Sequence, residues 1–250
     1  MVAFSILAAS IGIFSLGKAC PVDKPEAKPE EVDTRAVEYK TFRGDGSVDD
    51  GWPDVSSWKD FDSIWEVNLV KSAGACKWLG LAPNSDSESA TMKAAVLEAA
   101  NETGLDARYI AAVLFKESDG CVRVKTSVSP NAGVRNPGLF QSANGEYTCN
   151  DPDAGTPMEN PCPARQIEGM VNDGVGITTD WGLQQVVEKS GASDVSKYYK
   201  AAVLYNSGVM PDSGDLEDGR SNPCYASDIA NIVLGWTAES SPCNRDTIGN

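Results

Sequence analysis

Six cysteines, Cys76, Cys121, Cys149, Cys162, Cys224 and Cys243, constrain this chain more than any other feature it carries. An even set spread over the body of a mid-sized chain reads as three disulfides. Of the pairings open to them, joining neighbours closes the shortest loops at the lowest entropic cost, which predicts Cys76–Cys121, Cys149–Cys162 and Cys224–Cys243. Cys20 is left over, as a mature N-terminus, a free thiol or an intermolecular bridge.

Disulfides need an oxidising compartment, and the start of the chain supplies the route. Residues 2–16 form an apolar run, and Gly17-Lys18-Ala19 puts small residues where signal peptidase cuts, so 1–19 reads as a secretory signal with no membrane attachment after cleavage. Residues 20–45, rich in Pro, Glu and Lys and poor in large apolar side chains, read as a disordered linker, and 46–250 as one domain. The linker carries seven acids and five bases and the leader one lysine, so −14 of the net charge of −15 belongs to the domain. An acidic domain of this kind argues against nucleic acid and anionic membranes as partners.

Within 46–250 the apolar residues recur at helical spacing. Trp58, Phe61, Ile64, Trp65 and Leu69 share a face over 57–72, and Met92, Ala95, Val96 and Ala99 over 87–100. Asp106 is a helix N-cap residue ahead of Tyr109, Ile110, Val113 and Leu114. The pattern returns at 163–172, at 180–189, around Tyr198, Ala201, Ala202 and Tyr205, and around Ile229, Ile232, Val233 and Trp236. No strand alternation competes, so the expected fold is mainly α, about seven helices around one core with long disulfide-stapled loops. The longest loop, 121–162, carries the turn signals Ser129-Pro130, Asn136-Pro137-Gly138 and Asp151-Pro152-Asp153 and follows directly on the third helix.

Glu117 is out of keeping with that third helix. It lies seven residues after Ile110, four after Val113 and three after Leu114, so it continues the core-facing stripe, and Asp119-Gly120 then ends the helix. Burial and the negative end of the helix dipole both oppose ionisation, which is how a carboxyl group is kept protonated for use as a general acid. A helix boundary misplaced by one residue, leaving an ordinary exposed glutamate, is the alternative. With no histidine in the chain, Ser-His-Asp and Cys-His nucleophile systems and histidine-bearing zinc sites are excluded, and acid–base work falls to carboxylates.

Glu117-Ser118, Gly138-Leu-Phe-Gln141, Tyr205-Asn206-Ser-Gly208 and Tyr225-Ala-Ser-Asp-Ile229 follow one another in an order and spacing that resemble the goose-type lysozymes and soluble lytic transglycosylases of the lysozyme-like superfamily. The resemblance spans roughly 90–236, with Phe140 where that family usually has methionine. It implies a lysozyme-like catalytic domain in which Glu117 protonates the glycosidic oxygen between amino sugars. Ser118 would face the substrate or cap its own helix; Gln141 would bind in the sugar groove or simply make a turn; Asn206 would bind an N-acetyl or hydroxyl group or cap a helix before Gly208. Tyr225 would hydrogen-bond near the Glu117 carboxyl or pack as an interfacial tyrosine, and Tyr205 falls mostly to packing.

An inverting hydrolase also needs a base about 6.5–9.5 Å from its acid. Goose-type enzymes are expected to place aspartates in the loop after the glutamate, but 121–137 holds no Asp or Glu. Asp180 is the residue assigned as base, with Asp173 and Asp119 as alternatives and helix capping as the plain explanation of Asp180. A lytic transglycosylase avoids the question, because the sugar's own hydroxyl attacks. The functional expectation is thus a secreted, monomeric muramidase acting on peptidoglycan without cofactor or metal, as hydrolase or lytic transglycosylase. A chitinase or chitosanase, or a non-catalytic glycan-binding or effector protein on the same fold, are the alternatives. The acidic segment 212–218 lacks EF-hand spacing and reads as a solvated loop.

Overall fold

The computed structural model describes residues 37–250, apart from 131–132, 238–239 and 249–250 and the side chains of 71–73. The expected signal, Cys20 and the linker up to residue 36 lie outside the described residues. Eight helices make up the described fold: α1 (Phe61–Trp78), α2 (Asp86–Thr103), α3 (Ala107–Ser118), α4 (Ala164–Val175), α5 (Leu183–Lys189), α6 (Ser196–Ser207), α7 (Tyr225–Val233) and α8 (Arg245–Ile248). None of them is long and apolar enough to cross a membrane. Seven correspond to the periodic segments of the sequence; α8 is a single turn, too short to show a period.

The helices begin where local chemistry starts them. Asp60 accepts from Ser63 N ahead of α1, Ser85 and Glu88 form a reciprocal capping box on α2, and Asp106 accepts from Arg108 N at the head of α3. α3 is the central element, packed against α1, α2 and α7. The apolar stripe expected there is in fact a fully apolar helix: Tyr109 through Phe115 are all buried. Ala111 and Ala112, too small to show as core positions in a pattern, let the neighbouring helices close on the far side. Lys116 and Glu117 in the last turn are where α3 regains contact with solvent.

All three disulfides join neighbours, Cys76–Cys121, Cys149–Cys162 and Cys224–Cys243. By restricting the unfolded chain over 45, 13 and 19 residues, they contribute about 3–4 kcal/mol each in the chain-entropy account. The long loop after α3 is seated by more than sulfur. Arg123, wholly buried, reaches Glu88 Oε1 at 2.5 Å and the carbonyls of Ala82 and Pro83, while Cys162 N also donates to Glu88. Farther along, the rings of Phe140 and Tyr147 rest on α4 at Gly174 and Gly169, where any Cβ would collide with them.

Three expectations are corrected. A short antiparallel hairpin, β1 (Ser127–Val128) with β2 (Arg135–Asn136), lies in the region expected to be wholly irregular; two-residue strands are too brief for alternation to register. The linker also ends earlier than residue 45. Tyr39 donates to Asp228, Lys40 exchanges two hydrogen bonds with the Asn231 side chain, and Phe42 is buried against Trp52. Residues 37–45 thus belong to the fold, tied to α7 by hydrogen bonds, with the rings of Tyr39 and Phe42 packed on Trp236 and Trp52. The acidic segment 212–218 is docked rather than free, since Leu216 is buried and Glu217 accepts from Gly44 N at 2.9 Å.

Candidate active site

Glu117 occupies the last turn of α3, and Asp119 closes that helix in the left-handed conformation at φ 50°. Across the α3–α7 contact, the Tyr225 phenol at the first position of α7 donates to Glu117 Oε1. Burial drives the Glu117 pKa up to about 7; the Tyr225 hydrogen bond and the charge of Lys116 pull the other way without prevailing. Glu117 as a residue is only half-buried, so it is shielded by its neighbours while keeping partial contact with solvent.

The surroundings hold this arrangement. Lys116, next to Glu117, pairs at 2.6 Å with Asp228, one turn along α7 from Tyr225. Asp228 is buried and also accepts from Tyr39 at 2.7 Å and Ser241 at 2.6 Å. Tyr205, half-buried, has its pKa raised by desolvation and then by the Glu117 charge, which places its phenol within electrostatic reach of the acid. Its hydroxyl donates to Phe140 O at 2.8 Å, so Tyr205 ties α6 to the Gly138–Gln141 turn, a role that packing alone did not suggest.

The other sequence-derived residues divide. Asn206 lines a groove of about 490 Å³ together with Tyr205, Trp181 and Arg220; its Oδ1 accepts from Asn222 N at 2.9 Å, leaving the amide nitrogen for the groove. Gln141 sits at φ 45° and spends its side-chain amide on Gly138 O at 3.0 Å and Lys125 O at 3.4 Å, so its Nε2 shapes the turn and only its Oε1 remains for a ligand. Ser118 does not face a ligand: buried, it donates to Leu114 O and accepts from Gly120 N, closing the helix end.

Asp180 is neither a helix cap nor joined to the acid. It is exposed on the bend before α5, whose N-cap is Gly182, and the groups acting on the Glu117 carboxyl are Tyr225 and Lys116. Asp173 is buried with its carboxylate filled by Glu146 N, Tyr147 N and Thr178 Oγ1, which makes it the anchor of the 145–147 turn. Asp119 is the C-cap. Among the described residues, no group of three or more Cys, Asp or Glu side chains is placed to hold a metal ion. Lys116, Asp228 and Tyr205 are the members that sequence reasoning missed. A lysine abutting the candidate acid and an aspartate three residues after Tyr225 were the available signals.

No family model, curated protein or solved structure matches this chain.

Proposed function

We propose that the protein is a secreted glycosidase of the goose-type lysozyme and lytic transglycosylase kind, cleaving β-1,4 bonds between amino sugars of peptidoglycan with Glu117 as its general acid. The observation that carries this reading is the Glu117 carboxyl, raised to about 7 by burial and oriented by Tyr225, with Tyr205 leading from it to the groove that Asn206 lines. A group half-protonated near neutrality is matched to donating a proton to a leaving oxygen. Three disulfides accord with an extracellular site of action.

The fate of the aspartates favours the intramolecular route over hydrolysis. Asp173 is filled by donors and Asp119 is a cap, while Asp180 is exposed and is not among the groups acting on the Glu117 carboxyl, so none of the three is tied to the acid as a partner base. In the intramolecular route Glu117 gives its proton to the glycosidic oxygen as the C1–O bond breaks, the electron pair leaving with that oxygen. The resulting carboxylate then takes the proton of the C6 hydroxyl of the same sugar while that oxygen bonds to C1, closing a 1,6-anhydro ring and restoring the acid. One carboxyl suffices.

The test is mass spectrometry of soluble products from purified peptidoglycan, with Glu117→Gln in parallel. Anhydro products lost in the variant are expected. Reducing products lost in the variant would keep the glycosidase and replace the route; product formation that survives the variant, or no product at all, would overturn the reading.

A further inference from the structure

We propose that the groove bounded by Trp181, Tyr205, Asn206 and Arg220 is a subsite for an amino sugar bearing a carboxylate, with Arg220 pairing to that carboxylate and Trp181 stacking on the sugar. The proposal rests on the glycosidase reading above and deepens it, since it separates a muramyl glycan, which carries lactyl or peptide carboxylates, from neutral chitin and cationic chitosan.

Charge is the first argument. The chain has 36 acidic and 21 basic residues, yet among the described residues no carboxylate lines this groove and Arg220 is the one cation lining it. Arg108, Arg123 and Arg135 are each held by an acid at 2.6 Å or less. Arg220 is exposed, and among the described residues no carboxylate pairs with it. A guanidinium presents a planar fork that matches a carboxylate with two parallel hydrogen bonds.

The second argument is that the arginine stands on a braced segment. Arg245 donates to the carbonyls of Arg220 at 3.2 Å and Ser221 at 2.9 Å. Two residues on, Asn222 N donates to Asn206 Oδ1, so the stretch carrying the cation is fastened directly to the residue that lines the same groove. The Cys224–Cys243 bridge follows immediately. Holding the backbone at three points lowers the entropy that pairing with a ligand would otherwise cost.

The third is the wall. Trp181 is half-buried, with Lys189 4.4 Å from its ring centroid, and it also borders a second groove of about 530 Å³ that continues past Thr178 and Asp180. Both grooves share Val134, Ala143 and Trp181. Each falls within the roughly 300–1,000 Å³ of ligand clefts, and together they form a run suited to a polymer with an indole at its middle. The apolar face of a pyranose packs on such a ring.

Binding to the Glu117→Gln protein separates this proposal from the activity. The probes are peptide-bearing glycan strands, strands stripped of peptide so that the lactyl carboxylate is free, and neutral N-acetylglucosamine oligomers. Adding Arg220→Gln is expected to weaken binding of a carboxylate-bearing strand about five-fold more than binding of the neutral oligomer, with Arg220→Lys recovering part and high salt erasing the difference. Loss confined to peptide-bearing strands assigns the stem carboxylates; loss on stripped strands assigns the lactyl group. Equal losses on charged and neutral probes, or none, would overturn the subsite. A wild-type protein that binds with this selectivity but turns over no glycan would instead remove the glycosidase reading and leave the subsite standing.

Discussion

The Tyr225 hydroxyl donates to Glu117 Oε1 across the contact between α3 and α7, two residues separated by 108 positions in the chain. One turn along α7, Asp228 pairs with Lys116, the residue just before Glu117 on α3, as a second polar bridge. The acid is therefore gripped twice between two helices, by a phenol that touches it and by an ion pair that fixes the helices on either side.

Replacing Glu117 by Gln keeps an oxygen for Tyr225 but removes the proton. Turnover of peptidoglycan should fall about 10³-fold, read as product released per minute, with the circular dichroism spectrum unchanged.

The same variant should be more stable at high pH. The folded pKa of Glu117 lies above its unfolded value, so the native state holds this proton more tightly. Below the unfolded pKa both states are protonated and nothing is lost; as pH rises through about 7 the native state must carry a carboxylate in a desolvated site. The full shift is an upper bound on the loss, because Glu117 is only half-buried and solvent screens it. Glu117→Gln should thus gain about 2 kcal/mol over wild type at pH 8 and little at pH 4 in urea unfolding. Equal stability at both values would contradict a raised pKa.

Tyr225→Phe removes a hydrogen bond that lowers the Glu117 pKa. The alkaline limb of the pH–rate profile, where the acid loses its proton near 7, should move to higher pH while the maximal rate falls from lost orientation. A limb that moves toward acid would mean that the phenol does not stabilise the carboxylate.

Lys116→Met leaves Asp228 buried with only the hydroxyls of Tyr39 and Ser241. Breaking the pair should cost about 3 kcal/mol, the low end for a buried ion pair because those donors remain. It also removes the cation that lowers the Glu117 pKa, so the alkaline limb should again shift upward. Stability by chemical denaturation and the pH profile test the two effects separately.

Arg123→Met should be more damaging, costing about 3–5 kcal/mol at neutral pH. Burial pushes Glu88 upward, but Arg123, Ser85 N and Cys162 N bring it below the ordinary glutamate value. Its contribution is present above the unfolded pKa and is lost as pH falls through the depressed folded one. The gap between variant and wild type in urea unfolding should therefore narrow in strong acid.

Much of this was local information. Seven helices were legible because 3.6-residue periodicity and caps such as Asp106 are written in adjacent residues. Neighbour disulfides were legible because short loops close most cheaply. The position of Glu117 at the end of an apolar helix could be read from its spacing to Ile110, Val113 and Leu114. Ser118 and Asp180 could not be resolved, because a hydroxyl at a helix end and an aspartate near a helix start each have a local and a distant use, and only packing chooses between them.

The sequence by itself determined the helical class, the three bridges and the carboxyl that stands apart from its apolar helix, since each depends on residues within a few turns or on a short closure. Tertiary structure decided what that carboxyl meets. Tyr225 opposite Glu117, Asp228 opposite Lys116, Tyr39 on α7 and the turn-filling role of Asp173 all join distant stretches through hydrogen bonds and charge pairs. Such pairs carry no period and no fixed spacing along the chain, so they come into being only when helices with matching apolar faces bring them together.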